Sequence, residues 1–244
     1  MIWSGEFEFG PAWVAFRGHC GDNSYHRHAT AQLTIGLSGP VTIRQPDNPV
    51  TTGGAVFVRP GINHALEPID SALLILVEPQ TVIGRKLLAL LASSDVSILP
   101  QAVRRLIHAH GPLSLCLAKL QAANASDVAL DERLNAALVF IENAQGSRVL
   151  ARAAAEVQLS SSRLRALAQQ QLGISLAKWL MLRKLRAAAR ALASGSSLAE
   201  SAVDAGFADQ AHLTRSMRQV FGVTAATAAT MICSTQAKPS RTKT

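Results

Sequence analysis

The 244-residue sequence predicts an α+β chain, with a small antiparallel β-barrel or sandwich first and a set of helices after it. Three observations predict this. Short alternating or apolar runs separated by Gly, Pro, Asn and Asp fill residues 1–79. From Thr81 onward the apolar residues recur at steps of three and four, the spacing of helices. The charge is also divided. Residues 1–130 carry 9 Lys and Arg against 9 Asp and Glu, residues 131–244 carry 15 against 7, and so the whole formal charge of +8 lies in the second part. A neutral part joined to a basic one points to a polyanion-binding module attached to something with another task.

A hydrophobic content of 48% supports packed cores at this length. Cys20, Cys116 and Cys233 are far apart and form no CxxC pattern, which predicts free thiols rather than a disulfide or zinc framework. The start, MIWSGEFEFG, has no basic segment followed by an apolar one, so it does not read as a signal peptide. No apolar run approaches a membrane span. The expectation is a soluble cytoplasmic protein.

In chain order, Trp13–Phe16, Gln32–Leu37, Val41–Arg44, Ala55–Val58 and Ala72–Val77 are the predicted strands. Gly39-Pro40 and Pro46-Asp47-Asn48-Pro49 are predicted turns. Residues 80–127 are predicted to be a helical linker. Its apolar residues (Leu87, Leu88, Leu91, Leu106, Ile107, Leu113, Leu117, Leu120) would cover the barrel or a second subunit. A helix from about Val128 to Asn143 opens a domain over residues 128–230. A second helix and a turn follow, then a helix capped by Ser160 with Leu164, Leu167, Ala168 and Leu172 inward. A longer helix from about Ser175 to Ala193 leads to a second pair. In that pair a helix with Leu198, Ala199, Ala202 and Val203 stops at Gly206-Phe207, and the next turns Leu213, Met217 and Val220 to one face. Two helices around a Gly-containing turn, the second with an apolar back and a basic front, form the pattern of a DNA-reading unit. It occurs twice. Residues 231–244 lack periodicity and are predicted to be a disordered basic tail.

Residues from about 128 to 224 resemble the DNA-binding domain of the AraC/XylS family of transcription regulators. The matching features are Leu150-Ala151 with Ser160, Leu164 and Gly173; Trp179-Leu180 with Arg183, Leu185, Ala189 and Leu192; and Leu198, Ala202, Gly206-Phe207, Leu213, Arg215, Met217, Phe221-Gly222 and Thr224. Glu156-Val157-Gln158, Ala168 and Met217 stand where the family usually has a small turn and two Phe. Gly21, His26-Arg27-His28, Gln32 and Gly39, with Gly54 and Pro60-Gly61-Ile62-Asn63-His64, resemble the two motifs of the cupin superfamily. This implies a cupin-like jelly roll over residues 1–79, of a kind that many AraC/XylS regulators carry as a sensor.

What the resemblance implies can be stated residue by residue. Ser162, Arg163, Arg165 and Ala166 of the first unit and Gln210, Ala211, His212 and Arg215 of the second are expected to face DNA. Arg183, Lys184 and Arg218 are expected on phosphates, and the longer helix should hold the units about one turn of duplex apart. Partners implied are double-stranded DNA at a promoter or operator, a small-molecule effector, RNA polymerase and a second copy of the chain. In metal-binding cupins two His, a carboxylate and a third His converge, which makes His26, His28 and His64 ligand candidates, with Gln32 in the carboxylate's position. Three readings of these residues stay open here: a divalent metal site, the lining of a pocket, and ordinary structural histidines. The expected function is a sequence-specific regulator without enzymatic activity. Its competitors are a metal-dependent cupin enzyme fused to a basic module and a non-specific nucleoid binder.

Overall fold

The computed structural model describes residues 3–10, 12–21, 23–91, 94–101, 129–144 and 146–221. Its β part contains β1 (Ser4–Phe9), β2 (Trp13–Cys20), β3 (Ala31–Gly36), β4 (Val41–Gln45), β5 (Asn48–Gly53), β6 (Ala55–Val58), β7 (Ala65–Leu66), β8 (Ile69–Val77), helix α1 (Val82–Leu91) and β9 (Val96–Ile98). Six strands form one sheet in the order β1-β2-β8-β3-β6-β9, and three form a second in the order β5-β4-β7. All the pairings are antiparallel.

Strand β8 shows why the sheets stack as they do. Side chains alternate across a strand, so Leu74 and Leu76 join Val41, Ile43, Val56, Val58 and Leu66 in a core that draws on both sheets. Leu73, Ile75 and Val77 enter a second core on the other face, where Leu87 of α1 covers them. A strand buried on both faces needs a near-continuous apolar run, and Ala72–Val77 supplies one.

All five predicted strands form. Four more were not anticipated. β1 is an edge strand whose Glu6 and Glu8 hid its alternation, and β5 begins within the predicted turn, Pro49 being tolerated on a strand at the end of its sheet. β9 corrects the expectation of a purely helical segment over 80–127. After α1 the chain returns to the sheet and pairs with β6. The further helices expected over residues 102–127 and the tail at 231–244 lie outside the described residues, as do Cys116 and Cys233. Cys20 is free and buried, and burial pushes its thiol up to about 12.

The second part contains α2 (Glu132–Asn143), α3 (Val149–Glu156), α4 (Ser161–Leu172), α5 (Leu176–Ala193), α6 (Leu198–Asp204) and α7 (Gln210–Phe221). The caps explain the boundaries. Asp131 accepts from Arg133 N and Leu134 N, Ser160 from Arg163 N, and Ser175 from Lys178 N, while Ser197 and Glu200 form a reciprocal capping box. Trp179 centres a core built from α2 to α5, and Leu185, Ala188, Ala202, Phe207, Leu213 and Met217 form another around α5, α6 and α7. The two parts of the chain share apolar contacts. Ala29, from the loop before β3, belongs to the core around Trp179, and Phe221 packs against the core between the sheets. No helix among the described residues is long and apolar enough to cross a membrane.

Candidate DNA-reading helices and the cavity behind them

Helices α3–α4 and α6–α7 are the two predicted helix-turn-helix units. In the second, Gly206 adopts a left-handed φ of 78° between α6 and α7, the conformation that glycine enters without a Cβ clash. In the first, Gln158 takes that role at φ 54°, so the turn keeps its left-handed residue although its sequence lacks glycine. The inward faces follow the predicted period: Leu164, Leu167, Ala168 and Leu172 in α4, and Leu213 and Met217 in α7, are buried. Val203 is a correction. It is 64% exposed and Ala199 is exposed as well, while Ser201 is buried, because α6 turns a narrower face inward than its apolar residues imply.

The outward faces hold the residues expected on DNA. Ser162, Arg163, Arg165 and Ala166 are exposed on α4, and Gln210, Ala211, Arg215 and Arg218 on α7. Arg215 has no ion pair or hydrogen bond among the described residues, so neither Asp204 nor Asp209 takes its charge. Asp209 instead accepts from His212 N at 2.6 Å, capping α7. His212 is half-buried, its ring edge-on to Phe207 at 5.2 Å between centroids.

The basic run of α5 is used differently. Arg183 donates to the backbone carbonyls of Ile141 and Glu142, satisfying orphan acceptors at the end of α2. Lys184 donates to Gly206 O at 2.6 Å and lies 5.7 Å from the centre of the Phe207 ring. Arg186 reaches Glu78 beyond the end of β8 and Glu142 in α2, and Arg190 donates to Gly10 O at 3.1 Å. These contacts tie helices to helices and helices to sheet. Repetition of Arg and Lys along a helix cannot distinguish such internal bonds from a phosphate-facing stripe.

The structure brings His26, His28, Gln32 and His64 together. His26 and His64 pair as an isolated bridge through mutual backbone hydrogen bonds of 3.0 Å. The three rings offer nitrogens that lie within 4.8 Å of one another. Each Nδ1 faces a backbone carbonyl: Ser24 O at 2.9 Å for His26, Thr30 O at 2.9 Å for His28, and Ile62 O at 3.0 Å for His64. A carbonyl only accepts, so each Nδ1 carries the hydrogen and each Nε2 a lone pair. Burial holds all three rings neutral. It lowers His26 from 6.5 to about 4, helped by His28 and opposed by the bond to Ser24, and it lowers His28 and, with its two histidine neighbours, His64 as well.

A divalent metal fits this group poorly. The Gln32 side-chain amide already lies on two of the three nitrogens, 2.8 Å from His28 Nε2 and 3.2 Å from His64 Nε2, with Thr34 Oγ1 3.1 Å from its other end. As placed, the amide oxygen faces the two ring nitrogens and the amide NH2 donates to Thr34 Oγ1. With lone pairs on both rings, the hydrogens balance when the amide is turned end for end, its NH2 toward the histidines and the Thr34 hydroxyl donating to its oxygen. The amide thus fills the coordination position, and the donor set carries no negative charge.

His26, His28 and Gln32 form one end of a cavity of about 140 Å³. Its walls come from both parts of the chain: Trp3, Phe7, Trp13, Val14, Leu74 and Leu76 from the sheet, and Leu182, Leu185 and Ala189 from α5 with Met217 and Phe221 from α7. Glu78 and Arg186 line it as well. Sequence reasoning found the histidines but not this cavity, because its helical wall is the back of residues that also pack a core.

Comparison with known proteins agrees with this geometry. No curated protein sequence matches the chain significantly. A helix-turn-helix domain family matches residues 153–230. Three solved structures of ToxT from Vibrio cholerae share the fold. An apo substitution variant is 8% identical, covering 92% of this chain and 99% of that one, with a TM-score of 0.62. Wild-type ToxT with a bound unsaturated fatty acid is 10% identical over 92% of this chain and 97% of that one, with a TM-score of 0.61. ToxT bound to (E)-4-(8-methylnaphthalen-1-yl)but-3-enoic acid is 8% identical over 91% and 99%, with a TM-score of 0.58. With a matching domain family over α3 to α7 and two exposed reading helices, residues 153–230 are an AraC-type helix-turn-helix domain, and the chain is a DNA-binding transcription regulator.

Proposed function

We propose that a small molecule in the cavity between sheet and helices controls how the second reading helix is presented to DNA. The observation that carries this reading is the cavity's shared wall. Met217 and Phe221 line it from the back of α7, while Gln210, Arg215 and Arg218 stand on the front of the same helix. A rigid helix cannot shift its back without carrying its front. Two of the similar ToxT structures hold an apolar acid, which supports a ligand-binding role for a chain of this fold.

On the DNA side, Arg165 and Arg215 are assigned to base edges, and Arg163 and Arg218 to phosphates. Arg183 and Lys184 are assigned an internal role, since their side chains already serve the carbonyls of Ile141, Glu142 and Gly206. The regulator acts without a catalytic step, and the histidines serve as pocket wall. A homodimer and contact with RNA polymerase, implied by the family resemblance, belong to the same reading.

The test is selection of duplexes from genomic fragments by the purified chain and by Ala189→Phe, which fills the cavity. A shared motif for the wild type, with affinity changed about tenfold in the variant, is the expected result. Equal affinity of both proteins for that motif would sink the proposal, as would sequence-indifferent recovery by both.

A further inference from the structure

The cavity's polar end selects for the chemistry of its occupant. Resting on the reading that this cavity is a ligand site, we infer that it takes a neutral, apolar molecule of about one ring that carries a hydroxyl group, whose O–H donates to His26 Nε2. Three features of the walls lead there.

The first is the free lone pair. His26 is 5% exposed, and its Nδ1 hydrogen is spent on Ser24 O. Its Nε2 has no hydrogen-bond partner among the described residues, whereas His28 and His64 share the Gln32 amide. A ring nitrogen that opens on the cavity and has no protein donor is a position that a ligand O–H can fill. The second is the charge of the walls. Glu78 and Arg186 on the walls are paired with each other, and Arg186 also pairs with Glu142 behind them, so the guanidinium is already engaged. An entering carboxylate would meet the His26 lone pair at one end and, at the other, the Glu78–Arg186 pair, whose guanidinium it reaches only in competition with Glu78 and Glu142. The acids carried by ToxT are therefore the wrong head group for this chain, although their apolar bodies suit it. The third is size. A volume of about 140 Å³ is close to that of an engineered apolar cavity known to hold benzene. Trp3, Phe7, Trp13 and Phe221 offer ring faces and edges against which a flat molecule packs.

The experiment is calorimetric titration of the full chain, after dialysis against EDTA, with three molecules of matched shape: 4-ethylphenol, 4-ethyltoluene and 4-ethylbenzoate. The phenol is expected to bind about 5–10-fold tighter than the toluene, the effect of one buried hydrogen bond, and the benzoate no tighter than the toluene. In His26→Phe the phenol should lose its advantage while the toluene still binds. Equal affinity for phenol and toluene, tightest binding by the benzoate, a preference that survives in His26→Phe, or no saturable binding of the phenol would each overturn the inference. If His26→Phe does not fold, the comparison of phenol with toluene on the wild type decides alone. Failure here is separable from failure of the regulatory reading. Phenol binding that leaves affinity for the selected duplex unchanged would defeat regulation and leave the site. A duplex affinity that responds to Ala189→Phe while no phenol binds would do the reverse.

Discussion

Arg186 of α5 and Glu78 at the end of β8 form an ion pair across the boundary between sheet and helices, and a second carboxylate, Glu142, lies 3.1 Å from the same guanidinium. Glu78 is nearly buried and also accepts from the Gln80 amide. The two partners therefore depend on each other unequally. Arg186→Leu strands a buried carboxylate, whereas Glu78→Leu leaves Arg186 with Glu142. The expected losses are about 3 kcal/mol for Arg186→Leu, less for Glu78→Leu, and less than their sum for the double variant. Urea unfolding of the four proteins measures this, and additive losses would show that the pair does not couple the two parts.

Stability should fall in acid. The His26 pKa is about 4 in the folded chain against an ordinary 6.5, so between these values the unfolded chain binds the extra proton. Its contribution is fully present above about pH 6.5 and is lost as pH falls toward 4, an effect of order 3 kcal/mol. His28 and His64 shift in the same direction. Urea midpoints at a series of pH values, for wild type and His26→Phe, should show a shallower dependence in the variant. Identical slopes would contradict the burial argument.

Arg215 and Arg218 should fail differently on DNA. Arg215→Ala is expected to cost about 1–3 kcal/mol on the selected motif and to relax the preference at one base pair. Arg218→Ala should weaken all duplexes alike and reduce the salt dependence by about one phosphate contact. Arg165→Ala is the corresponding test in the first unit. Binding assays over a salt series with base-pair variants of the motif distinguish the two kinds of loss.

Gln32→Glu should create a metal site. It adds the missing carboxylate beside three ring nitrogens whose Nδ1 hydrogens are held by backbone carbonyls, the outer arrangement that orients histidine ligands. Zinc or cobalt titration should give one equivalent bound by the variant and much weaker binding by the wild type. Tight stoichiometric metal in the wild type would overturn the reading of Gln32 as the group that fills the site.

The DNA-reading half was legible because its information is local. Ser160, Ser175 and Ser197 cap helices within three residues of themselves, and Leu164, Leu167, Leu213 and Met217 declare an inward face by spacing alone. The strands with clean apolar runs, such as Ala72–Val77, were equally readable. Where pairing rather than pattern makes the strand, reading failed. β9 is three residues long and exists because β6 offers an open edge. Val203 lies outward and Ser201 inward because packing against α5 decides the face of so short a helix as α6.

The sequence by itself determined the order of elements, the two helix-turn-helix units with their exposed front faces, and the histidines worth inspecting. These follow from periods, caps and turn residues that act over a few positions. Only the tertiary structure decided that Arg183 and Lys184 serve carbonyls inside the protein, that Arg186 crosses to Glu78, and that Gln32 binds two histidines while His26 is left facing a cavity. The physical reason is distance along the chain. The partner of Lys184 lies 22 residues away, those of Arg183 lie 41 and 42 away and that of Arg186 lies 108 away, and no local pattern encodes which segment a side chain will meet.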